Sequence, residues 1–170
     1  MFTDCRGNAL NCAIVFLFSF CLYFNSLKGL FAFDDHRAIE GNFDLRQEAA
    51  WSRVWLNDFW GTPMSSNGSH KSYRPVTVAS FRCNHWLHAL RPFGYHLVNV
   101  IVHSVNCVLL YWVASLLFEC QLSALLCAAL FAAHPIHTES VAAVVGRADV
   151  LCGFFFLAGL FTFFALRDKT

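Results

Sequence analysis

Two adjacent carboxylates, Asp34 and Asp35, follow the first long apolar run of the chain and precede Arg37. A carboxylate beside a membrane face is partly desolvated and is therefore a stronger base, while a nearby cation keeps it charged. The pair predicts general-base chemistry, in which a carboxylate takes the proton of an incoming hydroxyl. Adjacent Asp residues also occur in solvated turns and helix caps, so the pair alone does not decide between these interpretations.

A second polar segment, residues 134–139, reads HPIHTE, and Gly-Arg-Ala-Asp follows at residues 146–149. Pro135 breaks a helix, and Thr138 can cap the next one. The groups that this region offers to a phosphate are His134, His137 and Arg147, with Glu139 and Asp149 orienting them. His and Glu are also metal ligands, but the spacing matches no recognised zinc motif, and we assign no metal site. An ordinary polar turn between membrane spans is the remaining alternative.

A stripe of polar side chains runs along the second long apolar run: His96, Asn99, His103 and Asn106. Their spacing places them on one helical face. Polar side chains are costly against lipid, so we expect the stripe to point into the helical bundle or into a water-filled cavity. Hydrogen bonding between helices is the favoured interpretation for the last three. His96, at the membrane boundary, is the candidate to contact a polar headgroup.

The composition indicates which elements position these groups. Of the 170 residues, 57% are hydrophobic and only 14% are charged, whereas about 25% charged residues is typical of a soluble domain. The formal net charge is +1, which gives no bulk attraction to nucleic acid. Because the apolar residues are bunched into long uncharged runs, the chain is predicted to be an all-α integral membrane protein, a multi-span helical bundle.

Four membrane spans are expected, at about residues 9–27, 97–118, 122–138 and 148–166. A cleaved signal peptide is the competing interpretation of the first, but we expect an uncleaved signal anchor, because no small-x-small cleavage site follows it. The third is apolar only over residues 122–133, but small side chains recur there every fourth residue, at Ala124, Ala128 and Ala132. Such a face lets helices pack closely. The fourth span is Phe-rich and is predicted to face lipid along much of its length.

Four spans place both termini on one side of the membrane. Arg6, Arg167 and Lys169 favour the cytosol for that side. Residues 28–96 and 134–147 then form two luminal loops of the endoplasmic reticulum. The sequon at Asn67 lies in the larger loop, and its glycosylation would require a luminal location. Only one of the eight Cys falls in that loop, so no disulfide framework is indicated.

The large loop holds most of the charged residues of the chain, yet it is not wholly hydrophilic. Trp51, Val54, Trp55 and Phe59 recur at helical spacing, as in an amphipathic helix that lies in the membrane interface. A second such segment covers residues 76–90. Both would hold the loop against the bilayer, which suits a site with a lipid substrate, although simple anchoring accounts for them equally well.

Five motifs occur in order across almost the whole chain: FDDHRAIEGNFDL, NDFWGT, SHKSYRPVTVASFR, GYHLVN and HPIHTESVAAVVGRADVL. Together they resemble the amino-terminal membrane region of the TMTC family, the transmembrane O-mannosyltransferases targeting cadherins. That family is similar to other multi-span glycosyltransferases of the GT-C class. The resemblance implies that dolichyl phosphate mannose is the donor and that a Ser or Thr hydroxyl of a cadherin-type domain is the acceptor, in the lumen of the endoplasmic reticulum.

The resemblance also implies residue roles. Asp34 corresponds to the base and Asp35 to its acidic partner, and attack opposite the phosphate inverts the anomeric centre. The candidates for holding the donor phosphate or headgroup are Arg37, His96, His134, His137, Glu139 and Arg147. Whether a divalent ion assists does not follow from the sequence.

In one respect the chain departs from the family pattern. Family members resemble a larger membrane domain followed by tetratricopeptide repeats, and these 170 residues contain no such repeat. We therefore expect a fragment or a short isoform. The alternative function is a non-catalytic membrane module, either a truncated isoform or an assembly partner. It would be indifferent to Asp34 and Asp35 and sensitive to the face formed by Ala124, Ala128 and Ala132.

Overall fold

The computed structural model describes residues 5–167, and over that range the chain is helical and contains no strand. The α-helices are α1 (Cys5–Leu22), α2 (Arg53–Leu56), α3 (Pro75–His88), α4 (Pro92–Leu117), α5 (Gln121–Ala133), α6 (His137–Ala142) and α7 (Arg147–Arg167). Shorter helical turns cover Phe24–Lys28, His36–Glu40 and Phe43–Leu45. The all-α prediction is confirmed for these residues.

Two helices in the described part of the chain are long and apolar enough to cross a membrane. They are α4, with 26 residues, and α7, with 21 residues. Helix α4 contains most of the predicted span 97–118 and begins five residues before it, at Pro92, where proline suits the first turn of a helix. Helix α7 matches the predicted span 148–166. Length and composition therefore support two of the four expected spans.

The other two apolar helices are shorter than expected. The apolar part of α1 ends at Leu22, because the Tyr23 carbonyl accepts hydrogen bonds from both the N–H and the hydroxyl of Ser26, which turns the chain before Leu27. Helix α5 ends at Ala133 and does not reach Thr138, since Pro135 disfavours the helical conformation of the preceding residue. Neither reaches the roughly 20 residues needed to cross the hydrocarbon core.

The predicted orientation depended on three basic residues at the chain ends. The side chain of Arg6 and all of Lys169 lie outside the described residues.

Helix α4 is the centre of the bundle and packs against α1, α5 and α7. The stripe Ala124, Ala128 and Ala132 is fully buried against Val15 of α1 and Cys107, Tyr111 and Ala114 of α4. The prediction of a tightly packed small-residue face is therefore confirmed. On the outer side of α5, leucine side chains at every fourth position are exposed.

Helix α7 packs on the bundle through few side chains. Its buried residues are Arg147, Val150 and Leu157. Phe155, Phe156 and others on the outer face are largely exposed. The outward-facing, Phe-rich surface predicted for this segment is thus confirmed.

Residues 29–91 fold over one end of the bundle around a core of their own, which also takes in Tyr95 and Val144. We call it the loop core: Phe31, Ala38, Ile39, Leu45, Val54, Phe59, Val78, Phe81, Tyr95 and Val144. The predicted interfacial helix through Trp51 and Phe59 is wrong in extent, because only Arg53–Leu56 is helical and Phe59 is buried. The chain turns after this short helix, because Asp58 accepts hydrogen bonds from the N–H groups of Trp60 and Thr62.

The second predicted amphipathic segment does form a helix, α3. Its apolar residues Trp86 and Leu87 are 69% and 64% exposed, so they cover the outside of the loop. Arg82, on another side of α3, is buried and donates hydrogen bonds to the carbonyls of Asp44 and Ala49. The helix therefore exposes apolar side chains outward, while its buried face combines Val78 and Phe81 of the loop core with the polar side chain of Arg82.

Candidate functional site

The two adjacent carboxylates have opposite environments. Asp35 is 1% exposed, and its Oδ2 and Oδ1 accept hydrogen bonds from the N–H groups of Ala32 (3.1 Å) and Val145 (2.9 Å). Asp34 is exposed and lines a cavity. The residue before them, Phe33, has a positive φ of 49°, an uncommon conformation for a side chain of that size. One carboxylate is thereby committed to the fold and the other is available to solvent or a ligand.

The cavity in front of Asp34 has a volume of ≈ 210 Å³. We call it the site cavity. It brings together Asp34 from the first loop, Glu139 from α6 and Asp149 from the first turn of α7. Trp60 and Arg74 complete its polar and aromatic wall. Three carboxylates and one guanidinium, supplied by four separate segments, therefore face one small space.

Two arginines lie over the aromatic side of the site cavity. The guanidinium of Arg74 stacks 5.0 Å from the ring centre of Phe59, and that of Arg37 lies 5.1 Å from the ring centre of Trp60. Stacking holds a planar cation in place without consuming its hydrogen-bond donors. Arg37 was a predicted site residue. Arg74 was not assigned a role from the sequence, although it stands in the motif SHKSYRPV directly before the Pro that starts α3.

Arg147 lies elsewhere, inside the protein. It is 0% exposed, and its donors reach Asn99 Oδ1 at 2.8 Å, the Tyr95 carbonyl at 2.7 Å, and Asn84 Oδ1. Its guanidinium also lies 4.7 Å from the ring centre of Phe81. The structure therefore places Arg147 behind the site cavity, where it joins α7 to α3 and α4.

The second polar segment is held in place by α4. Asn99 Nδ2 donates a 2.8 Å hydrogen bond to the carbonyl of Ala143 and longer ones to those of Val141 and Val144. With the bond from Val145 to Asp35, these contacts fix residues 141–145 between the first loop and the bundle. Of the polar stripe, Asn99 and Asn106 make hydrogen bonds between segments, as expected.

The three predicted histidines do not line the site cavity. His96 is 2% exposed, beneath the surface. The Nδ1 of His134 accepts a hydrogen bond from the N–H of Ile136 within its own turn. His137 packs its ring against Phe131 and His103 and lines a different cavity. Glu139 is the member of the HPIHTE segment that faces Asp34 across the site cavity.

The sequon lies in a turn organised by Asp58. Asn67 is exposed, and the Ser69 hydroxyl donates a 2.7 Å hydrogen bond to Asp58 Oδ2. Burial raises the pKa of Asp58, but hydrogen bonds from Ser69 and the backbone N–H groups of Thr62, Trp60 and His70 outweigh it, so the pKa lies below its ordinary value. The loop thus depends on an ionised buried carboxylate.

Among the residues that the structure describes, no group of three or more His, Cys, Asp and Glu is arranged to hold a metal ion. The carboxylates of the site cavity line its wall without converging on one point. The chemistry available is proton transfer at Asp34 and charge stabilisation by Arg74 and Arg37.

The chain is similar to curated protein O-mannosyl-transferases. It is 49% identical over 139 residues to tmtc2 of Xenopus laevis, which is 82% of this chain and 17% of that protein. It is 45% identical over 161 residues to Tmtc3 of Drosophila melanogaster (83% of this chain, 17% of that protein) and 48% identical over 146 residues to human TMTC4 (78% and 20%). The chain therefore spans about a sixth to a fifth of the length of these relatives.

The other two comparisons give no match: no protein-family model and no solved structure matches the chain.

Proposed function

The chain belongs to the TMTC family of protein O-mannosyl-transferases, and on this basis we propose that it forms the acceptor-activating part of an enzyme that transfers mannose from dolichyl phosphate mannose to Ser or Thr hydroxyls of cadherin-type domains. The observation that supports the proposal is the difference in environment between the two adjacent carboxylates. Asp35 is buried and accepts a backbone N–H hydrogen bond at each carboxylate oxygen, whereas Asp34 is exposed and faces the site cavity.

In the proposed reaction, the acceptor hydroxyl enters the site cavity and hydrogen-bonds to Asp34. As the hydroxyl oxygen bonds to the anomeric carbon of mannose, its proton passes to the Asp34 carboxylate, and the bond from that carbon to the phosphate oxygen breaks. Attack from the face opposite the phosphate inverts the anomeric centre. Asp35 positions Asp34 through its bonds to Ala32 and Val145.

The leaving dolichyl phosphate needs cationic donors as its charge develops. Arg74 lines the site cavity, and Arg37 lies beside it on Trp60. We assign both to the phosphate. Arg147 supports them indirectly by fixing the start of α7. We assign no phosphate contact to His96, His134 and His137, because these residues do not line the site cavity.

A groove beside the site cavity suits the lipid part of the donor. It runs between the first turn of α3 and α7, has a volume of ≈ 330 Å³, and is lined by Val76, Leu151 and Phe155. Arg74 and Asp149 line both spaces. A prenyl chain in this groove would therefore place its phosphate at Arg74, at the entrance to the site cavity.

The test is transfer of labelled mannose from dolichyl phosphate mannose to a purified cadherin domain by membranes that contain the chain. Asp34→Asn should abolish transfer, and Arg74→Gln should reduce it strongly. Glu48→Gln, an exposed acid away from the cavity, is the matched control. Transfer that survives Asp34→Asn would exclude Asp34 as the base. If the unaltered chain inserts but shows no transfer, the chain is the non-catalytic module of the alternative.

A location in the endoplasmic reticulum, with the loop core in the lumen, is part of the same proposal. The exposed Asn67 makes it testable, because only luminal sequons receive glycans. A glycosidase-sensitive mobility shift that disappears in Asn67→Gln is expected. The same shift retained in that variant would show that the glycan is elsewhere.

The alternative, a non-catalytic membrane module, predicts sensitivity to the small-residue face of α5. Ala124, Ala128 and Ala132 are buried by α1 and α4 of the same chain. That face is therefore not available to a second protein in this structure.

A further inference from the structure

A second cavity, separate from the site cavity, lies between α4, α5, α6 and the first two turns of α7. It has a volume of ≈ 350 Å³ and is lined by His103, Asn106, Phe131, Ile136, His137 and Gly153, together with Ser140, Asp149 and Val150. We call it the membrane-side cavity, because it is built on the two helices long enough to cross a membrane. Asp149 lines both this cavity and the site cavity.

One wall of this cavity holds an unpartnered polar atom. Asn106 is 3% exposed, and its Nδ2 donates a 2.8 Å hydrogen bond to the Val150 carbonyl. That bond fixes the orientation of the amide and leaves Oδ1 buried with no hydrogen-bond partner among the residues that the structure describes. A buried acceptor without a partner is costly. Gly153 permits the close approach, since a Cβ there would lie 3.3 Å from Asn106 Nδ2.

The remaining walls define the chemistry of a ligand. Phe131, Ile136 and Val150 are apolar, and within residues 5–167 no Lys or Arg lines the cavity. The Asp149 carboxylate at one edge and the amide oxygen of Asn106 both repel an anion. In the site cavity Arg74 offsets the charge of Asp149, but Arg74 does not line this cavity, so a phosphate or carboxylate is disfavoured here. A ligand that donates one hydrogen bond to Asn106 Oδ1 and is otherwise apolar matches the chemistry of the lining residues.

The apolar wall also reaches the outside of the bundle. Ile136 is 65% exposed, and Phe131 is partly exposed. A ligand can therefore place one end at Asn106 and extend its apolar body along the outer surface of α5 and α7, where lipid would lie.

We propose that the membrane-side cavity binds the hydroxyl end of an uncharged lipid alcohol, a sterol or a polyprenol, whose hydroxyl donates a hydrogen bond to Asn106 Oδ1. The imidazole of His137, which also lines the cavity, can accept or donate a second hydrogen bond to the same hydroxyl. The residues that we assign to the transfer reaction, Asp34, Arg37 and Arg74, are not among those that line this cavity.

The test is photolabelling of membranes that contain the full chain. Two photoreactive probes, a cholesterol analogue and a polyprenol, are each compared with the methyl ether of the same probe. We expect labelled peptides from residues 131–140 or 149–153, and labelling about three- to tenfold weaker with the ether, the range for one hydrogen bond. The probe that labels more strongly identifies the kind of alcohol.

Two variants make the result specific. Asn106→Leu removes the acceptor and should lower labelling by the same factor. The matched control is Asn11→Leu, which removes a hydrogen bond from α1 to Tyr111 of α4 away from the cavity. Ser140 is partly exposed and lines the cavity. Ser140→Trp should fill the cavity and lower the labelling, which provides a second test if Asn106→Leu folds poorly.

Equal labelling by alcohol and ether, or labelling unchanged in Asn106→Leu and Ser140→Trp, would overturn the proposal. Labelling elsewhere on the chain, with none in these segments from either probe, would also overturn it and leave water as the partner of Asn106.

Discussion

The carboxylate of Asp35 accepts a hydrogen bond of 2.9 Å from the backbone N–H of Val145, a residue 110 positions further along the chain. This bond joins the first loop to the segment that carries Glu139 and Asp149. It sets Asp34 opposite those two carboxylates in the site cavity. The geometry of the candidate site therefore depends on a residue that does not line it.

The two carboxylates should separate activity from stability. In Asp35→Asn one of the two N–H donors faces an amide NH₂ group, so we expect a loss of about 1–3 kcal/mol in the free energy of unfolding, together with loss of transfer. Asp34→Asn should abolish transfer with unchanged stability. Thermal unfolding of the detergent-solubilised chain, measured beside the transfer assay, checks both. Equal destabilisation by the two changes would show that Asp34 is also structural.

Replacing Arg147 should strongly lower the free energy of unfolding. Arg147→Leu leaves two amide oxygens and the Tyr95 carbonyl buried without their donor, and we expect about 3–5 kcal/mol of destabilisation. Arg147→Lys should recover only part, because an ammonium lacks the planar fork. Arg91→Lys, at an exposed position, is the control. Protease resistance of the loop reports the result, and full resistance of Arg147→Leu would refute the assigned role.

The small-residue face of α5 should tolerate no enlargement. Ala128→Leu inserts a large side chain where Ala128 is fully buried against the bundle, and we expect about 1–3 kcal/mol of destabilisation from overpacking. Ala133→Leu, on the same helix at an exposed position, should be neutral. Thermal unfolding distinguishes them. Equal stability of the two variants would mean that the contact between α4 and α5 is loose.

Acid should weaken the loop through Asp58. Its pKa is lowered in the folded state, because four hydrogen bonds outweigh the effect of burial. The stabilisation is therefore present above the unfolded pKa of about 4 and is lost as the pH falls through the lower folded value. Proteolysis of the loop measured from pH 7 to pH 2 should show this decline. Asp58→Asn should be less stable at neutral pH and should lack that part of the decline.

The elements that depend on local pattern were predictable. The long uncharged runs predicted α4 and α7, and the four-residue spacing of alanines predicted the buried face of α5. Helix ends were less predictable. The turn at Ser26 and the break at Pro135 shorten two helices, and the bond from Ser26 to Tyr23 has no clear signal in an apolar sequence.

The site was predictable only in part, because its contacts join distant residues. The sequence singled out Asp34, Asp35 and Glu139, but nothing local to Arg147 shows that Asn84, Tyr95 and Asn99 surround it. A conspicuous arginine in a polar segment was therefore assigned to a phosphate. Arg74 was missed for the converse reason, since an arginine before a helix-starting proline has no distinctive pattern until the fold brings it to Asp34.

The burial of Arg147 also bears on the order in which the chain matures during synthesis. The hydrogen-bond acceptors on α3 and α4 leave the ribosome well before residue 147 does, and until then Asn84 and Asn99 lack the cation that they enclose. The loop core cannot pack around Arg147 until the start of α7 has left the ribosome. A nascent chain paused between these points would hold the amide oxygens of Asn84 and Asn99 without the donor that satisfies them in the folded protein.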